Sequence, residues 1–286
     1  MKKMFGFALL TLAMMSCGKE NLSDGTSVDN KTLKTSYTVT TESALKTAIK
    51  AAKAGDVITV SGTIKLTSTL QCLNSGTSSS KINFTGGTLD CSGISSGWGV
   101  KVNGSYWNIT NMTIKNAPDC GIVFQVGGNN YVYKVITYGN DDSGLQIYNG
   151  AKNVSVNYCT SYNNYDAANG GENADGFACK LSAGSGNVFN NCTAYSNSDD
   201  GWDLYGQPYT VKMNYCTAKT NGYGTNGDGN GFKLGSSGQS VAHTVYYCTS
   251  TSNLGCGYDG NGNTGHITTT GSTGSGNGKA LWSRIY

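Results

Sequence analysis

The chain has 286 residues, with 41 glycines, two prolines and only 13% charged side chains, enough for one large domain or two modest ones. Its formal net charge of +3 and its single arginine, Arg284, leave no cluster for gripping phosphates or bases, which excludes a nucleic-acid partner. Glycine, asparagine, serine and threonine are abundant without a collagen period, and short β-prone words recur between them, which predicts many short strands joined by tight turns.

The first element is an export signal. Lys2 and Lys3 precede an apolar stretch from Met4 to Met15, and Ser16 stands immediately before Cys17. The stretch is too short to span a bilayer comfortably and resembles a bacterial lipoprotein signal in which Cys17 is acylated and becomes the mature N-terminus. Residues 1–17 are therefore read as the signal and 18–36 as a flexible tether, with a net charge of about +1 on the mature chain. The expected location is the outer membrane or cell surface, or otherwise the periplasm or medium, with membrane contact only through the lipid anchor.

Next, TESALKTAIKAAKAGDVITV (40–60 region) sets Leu45, Ala48, Ile49 and Ala52 at helical spacing, with Thr41 or Ser43 as N-cap and Gly55 as a stop before a strand. A short amphipathic helix here would cover the end of a solenoid.

From residue 112 a repeat appears. NYCTSYNN around Cys159, NNCTAYSN around Cys192, NYCTAKTN around Cys216 and YYCTSTSN around Cys248 are one motif, and Val135 and Met112 fill the cysteine position upstream. The basic period is near 24 residues, lengthened twice. Five residues after each anchor from Val135 onward stands an asparagine: Asn140, Asn164, Asn197, Asn221, Asn253. An asparagine recurring once per turn can bond the turn backbone and the asparagine above it, which suits stacked coils. The fold class read from this period is all-β: a right-handed parallel β-helix with an asparagine ladder and a short N-terminal capping helix, its catalytic domain spanning 37–270.

Each coil resumes with glycine, a large apolar residue and a variable one. Alternation turns Leu145, Phe177, Trp202, Phe232 and Tyr258 inward and Gln146, Ala178, Asp203, Lys233 and Asp259 outward. Trp202 and Phe232 are thus core, and the repeated cysteines are small buried hydrophobes. Nine cysteines beyond Cys17 make no complete disulfide framework, and the pairing of Cys72 with Cys91 is left open. His243 and His266 have no partner at ligand spacing and are expected at surface or loop positions.

The stretch NSDDGWDLYG (197–206) gathers Asp199, Asp200 and Asp203. Asp175 and Asp200 each precede the glycine of successive coils, so they stack about 5 Å apart. Four unpaired carboxylates this close would repel and raise each other's pKa values unless a cation sat among them, and hard oxygen ligands without histidine favour calcium. Lys233 follows Asp203 in the outward column, so a base and a metal would be neighbours. Without metal Asp203 would hold that lysine protonated; bound calcium would lower its pKa toward a useful value. Only this column distinguishes Lys233 from other lysines such as Lys180 or Lys212. Two insertions, 165–175 and 222–230, border the same coils and would wall a groove.

GGENADGFACKL, NSDDGWDLY and GNGFKLG together resemble the pectate lyases of polysaccharide lyase family 9, over roughly residues 95–262. The resemblance implies calcium held by Asp175, Asp199, Asp200 and Asp203, Lys233 as base, and β-elimination on polygalacturonate, an acidic polysaccharide, by a monomeric enzyme. Calcium would acidify the proton on carbon 5, Lys233 would remove it, and the oxygen on carbon 4 would leave as a 4,5-unsaturated end forms.

From residue 266 the chain loses the anchor, the asparagine and the apolar alternation, so 271–286 is expected to be an atypical, truncated tail that leaves the last coil uncapped. Two other functions compete with the lyase. One is a β-helix polygalacturonan hydrolase, which would want His-Gly and Arg-x-Lys elements that do not stand here; the other is a non-catalytic surface β-helix for glycan binding or adhesion. Asp259 is expected to be structural or to face substrate.

Overall fold

The structure is a computed structural model that describes residues 34–286. The signal, Cys17 and nearly all of the tether lie outside the described residues. The chain is already tied down at Thr35, whose backbone N–H donates to Asp56 Oδ1 at 2.8 Å, and the first strand opens at Ser36. The coil therefore begins one residue earlier than expected.

Three nine-stranded sheets, parallel throughout, run side by side along one axis. The chain visits them in turn: the first sheet extends from Ser36–Val39 to Thr244–Tyr246, the second from Thr63–Lys65 to Thr273–Ser275, and the third from Leu70–Cys72 to Trp282–Ser283. Strands of two to four residues suffice because each coil needs only one flat face per sheet. In most coils the corner between the first and second sheets is made by a single left-handed residue, among them Asn111, Tyr158, Asn191 and Tyr215. Such a conformation costs about 1–2 kcal/mol in a residue with a side chain, so the stack must hold it in place.

The asparagine ladder holds the next corner, between the second and third sheets, where each asparagine follows a left-handed residue such as Asn163, Ser196 or Thr220. Each amide oxygen from Asn164 onward accepts from both the side-chain amide and the backbone N–H of the asparagine one coil earlier. The amide-to-amide distances are 2.8 Å for Asn140 to Asn164, 2.8 Å for Asn164 to Asn197, 2.9 Å for Asn197 to Asn221 and 2.9 Å for Asn221 to Asn253. The five residues are buried, so every amide group must be paired inside the protein.

Inside the coil the third sheet stacks its large side chains. Ring centroids are 4.9 Å apart for Phe177 and Trp202, 4.8 Å for Trp202 and Phe232, and 5.0 Å for Phe232 and Tyr258. Each such ring, withdrawn from water, contributes about 2–3 kcal/mol. The repeated cysteines are buried and free, as are Cys72 and Cys91, so the pairing left open is not formed. At the N-terminal end helix α1, Glu42–Ala51, is capped by Thr41 and buries Leu45, Ala48 and Ile49 against the first coils.

Two expectations are corrected. The tail is not out of frame: Ser272 stands at the anchor position, Asn253 donates to Asn277 Oδ1 at 3.0 Å, and Thr273–Ser275 and Trp282–Ser283 extend the second and third sheets. Trp282 stacks on Tyr258 with centroids 4.3 Å apart. His243 is not at the surface either; it is fully buried, and its Nδ1 accepts from Val211 N at 3.2 Å.

Candidate active site

The outward column of the third sheet runs in register through Ala178, Asp203, Lys233 and Asp259. Asp175 and Asp200 stand on its lip: Gly176 N donates to Asp200 O at 2.9 Å, which fixes one carboxylate above the other. Asp175, Asp199 and Asp200 each offer one carboxylate oxygen to a group whose three atoms lie within 4.8 Å of one another, each residue buried. Asp203 does not join this group.

The two insertions build the wall. They touch across the shorter turn between them: Asn226 N donates to Gly170 O at 3.2 Å, Ser198 Oγ donates to Gly171 O at 2.7 Å, and Gly224 N donates to Ser198 O at 2.9 Å. Each loop sends one backbone N–H to Asp199, from Asn173 at 3.1 Å and from Asp228 at 2.7 Å. A carboxylate placed by two long loops at once has its position fixed by residues that belong to no repeat.

The carboxylates are unequally satisfied. Asp200 Oδ1 accepts from Asn230 N at 2.6 Å, whereas Asp200 Oδ2 is buried with no hydrogen-bond donor. Burial and the neighbouring Asp199 push the Asp200 pKa well up, and burial likewise raises those of Asp175 and Asp199. Asp203 goes the other way: burial raises its pKa, but Lys180 and Lys233 outweigh burial and hold it ionised.

Lys180 is the residue that sequence reasoning set aside. Its Nζ lies 2.9 Å from Asp175 Oδ2 and 3.0 Å from Asp203 Oδ2, and only 8% of the residue is exposed. The four carboxylates are therefore not all unpaired. The signal that could have found it is period two: Lys180 stands two residues past Ala178, on the same outward face. Lys233 is also placed differently from expectation. Its Nζ lies 2.7 Å from Asp228 Oδ2 and 3.5 Å from Asp200 Oδ2, and the ion pair expected with Asp203 is not made. Burial pulls the Lys233 pKa down, but Asp200, Asp203 and Asp228 together raise it. Asp228 lies in an insertion, where no repeat points to it. Asp259, in the same column, is held by Arg284 Nε at 2.9 Å, a structural pairing.

The donor set suits a hard divalent cation. It is all oxygen, it includes a buried carboxylate atom without a donor, and its carboxylates outnumber the two buried ammonium groups, one of which, Lys233, is also shared with Asp228. Asp175, Asp199 and Asp200 converge on the place where such an ion would sit.

A family model described as "Pel9A-like, right handed beta helix region" matches residues 24–284. Pectate lyase L of Paenibacillus polymyxa strain SC2 is 39% identical over 202 residues, covering 64% of this chain and 44% of that protein. Pectate lyase L of Dickeya chrysanthemi is 33% identical over 195 residues, covering 66% and 46%. The crystal structure of pectate lyase Pel9A superposes with a TM-score of 0.76 at 27% identity, over 82% of this chain and 68% of that one. The chain spans less than half the length of these curated relatives. With a match across nearly all of its described coils, the chain belongs to the Pel9A-like right-handed β-helix family.

Proposed function

We propose that the chain is a calcium-dependent polysaccharide lyase that cleaves polygalacturonate by β-elimination. The observation that carries this reading is the buried oxygen-only group of Asp175, Asp199 and Asp200, with a bare Asp200 Oδ2 3.5 Å from the ammonium of Lys233. Pectate lyases with the same architecture support the choice of substrate.

Calcium held by these carboxylates, with Asp203 as a further ligand, would draw electron density from the uronate carboxylate and acidify the proton on carbon 5. Lys233 accepts that proton. In the cation-free protein its neighbours hold it charged, so it works as a base once the carboxylates are discharged. The two insertions and Tyr205, whose ring lies 5.9 Å from Lys233 Nζ, flank the place where the sugar would lie. Hydrolysis would require one carboxylic acid to protonate the leaving oxygen and a second carboxylate as base or nucleophile, whereas the carboxylates here are clustered as a cation site.

Incubation of the protein with polygalacturonate, with calcium or a chelator, tests the reading through the ultraviolet absorbance of the unsaturated product. Calcium-dependent absorbance is the expected result. New reducing ends without that absorbance would indicate hydrolysis, and neither signal from a folded protein would indicate binding alone. Export and anchoring through Cys17 belong to the same proposal, and the mass of the mature N-terminus checks them.

A further inference from the structure

Lys180 has no part in the reaction as proposed, yet it is among the most enclosed charges of the site. Its ammonium bridges Asp175, on the lip of the third sheet, and Asp203, on the outward column. Asp175 Oδ2 also accepts from Ser143 Oγ at 3.0 Å, and Asp203 Oδ1 accepts from Tyr205 N at 2.9 Å. Lys180 thus binds the Oδ2 atom of both carboxylates. Asp203 stands outside the group formed by Asp175, Asp199 and Asp200.

We propose that Lys180 is the resident cation of the site, a positioning residue that locks Asp175 and Asp203 together and weakens the hold of the remaining carboxylates on a divalent metal. The proposal rests on the calcium reading above and adds to it what sets the affinity. Three physical consequences follow from the geometry. A positive charge within ion-pair distance of a metal ligand repels a second cation, and in a dry site that repulsion is screened little. The same charge relieves the mutual repulsion of buried carboxylates, so the cation-free protein keeps its coil intact around the site. Lys180 also pins Asp203 in one orientation, so that its recruitment as a metal ligand requires the lysine to give up a contact.

The test compares the full chain with Lys180→Met and Lys180→Arg, titrating calcium chloride calorimetrically and recording Tm in chelator and in calcium. Lys180→Met should bind calcium at least tenfold more tightly than the parent while its Tm in chelator falls, so that calcium raises its Tm by more than it raises the parent's. Lys180→Arg, which keeps the charge, should stay close to the parent in both. Lys180→Met binding calcium no more tightly than the parent would overturn the proposal. If the Met variant does not fold in chelator or calcium, Lys180→Gln, which keeps N–H donors without the charge, carries the same comparison. A parent chain that binds no calcium defeats the metal reading itself. In that event, calcium binding gained by Lys180→Met still supports the resident cation, and no gain overturns it too.

Discussion

Asp203 and Lys233 are register partners on adjacent strands of the third sheet, yet the lysine ammonium rests on Asp228, 2.7 Å away in the second insertion. The column brings the lysine to the site, and a loop outside the column holds it. Lys233→Ala should therefore lower lyase turnover at least about 100-fold, the range for losing a positioned general base, without a matching loss of Tm. Full activity in that variant would remove Lys233 from the mechanism.

Asp228 is one of the groups that raise the Lys233 pKa, so its removal should act in the opposite direction. With Lys233 as the proposed base, activity should require the neutral amine and rise with pH as the proton leaves. Asp228→Asn should move the rising limb of the rate profile to lower pH, read from initial rates across a buffer series at saturating calcium. An unmoved limb would mean that Asp228 orients the lysine without setting its charge.

The bare Asp200 Oδ2 makes a two-sided prediction. Burial and Asp199 penalise its charge, so Asp200→Asn should raise the Tm of the calcium-free protein while abolishing the rise that calcium produces in the parent. Thermal melts in chelator and in calcium separate the two effects. A variant that is destabilised in chelator, or that keeps the calcium response, would contradict the assignment.

Asn221 sits in mid-ladder, accepting from Asn197 and donating to Asn253 at 2.9 Å each. Asn221→Ala leaves the Asn197 amide and the Asn253 oxygen short of partners in a buried row, at a cost of about 1–3 kcal/mol for each unsatisfied group. Denaturant melts should show a loss of several kcal/mol, far more than for an exposed turn asparagine such as Asn153.

How much of this was legible in the sequence differs with the kind of signal. The ladder and the aromatic stack were readable because a solenoid repeats its own requirements every 24 residues or so, and Asp175 and Asp200 became a pair once their glycines were aligned. Asn277 obeys the same rule, 24 residues past Asn253, but it was hidden because serine replaces cysteine at its anchor and Leu281 replaces the glycine that opens other coils. Lys180 has the alternation of an outward residue. What the column could not show is that a long side chain reaches sideways to Asp175 as well as along the column to Asp203. Asp228 stands in an insertion, where periodicity carries no information at all.

His243 was hidden for a related reason, and it yields an acid-stability prediction. It shares a column with Trp107, Asn130, Val154, Asn187 and Val211, where every second coil offers an acceptor to the coil before it: Asn130 Oδ1 to Trp107 N, Asn187 Oδ1 to Val154 N, and His243 Nδ1 to Val211 N. An isolated histidine gives no hint of an asparagine's role. Burial lowers its pKa from 6.5 to about 4, so between those values the unfolded chain binds a proton that the folded chain refuses. The stability due to keeping His243 neutral is complete above pH 6.5 and is lost as pH falls toward 4, up to about 3 kcal/mol. His243→Asn, which installs the residue used at the equivalent positions, should keep the acceptor and remove this step. Denaturant melts of parent and variant at pH 7.5 and pH 4.5 measure it: the parent should lose more stability than the variant over that interval, and parallel losses would show that His243 does not govern the acid response.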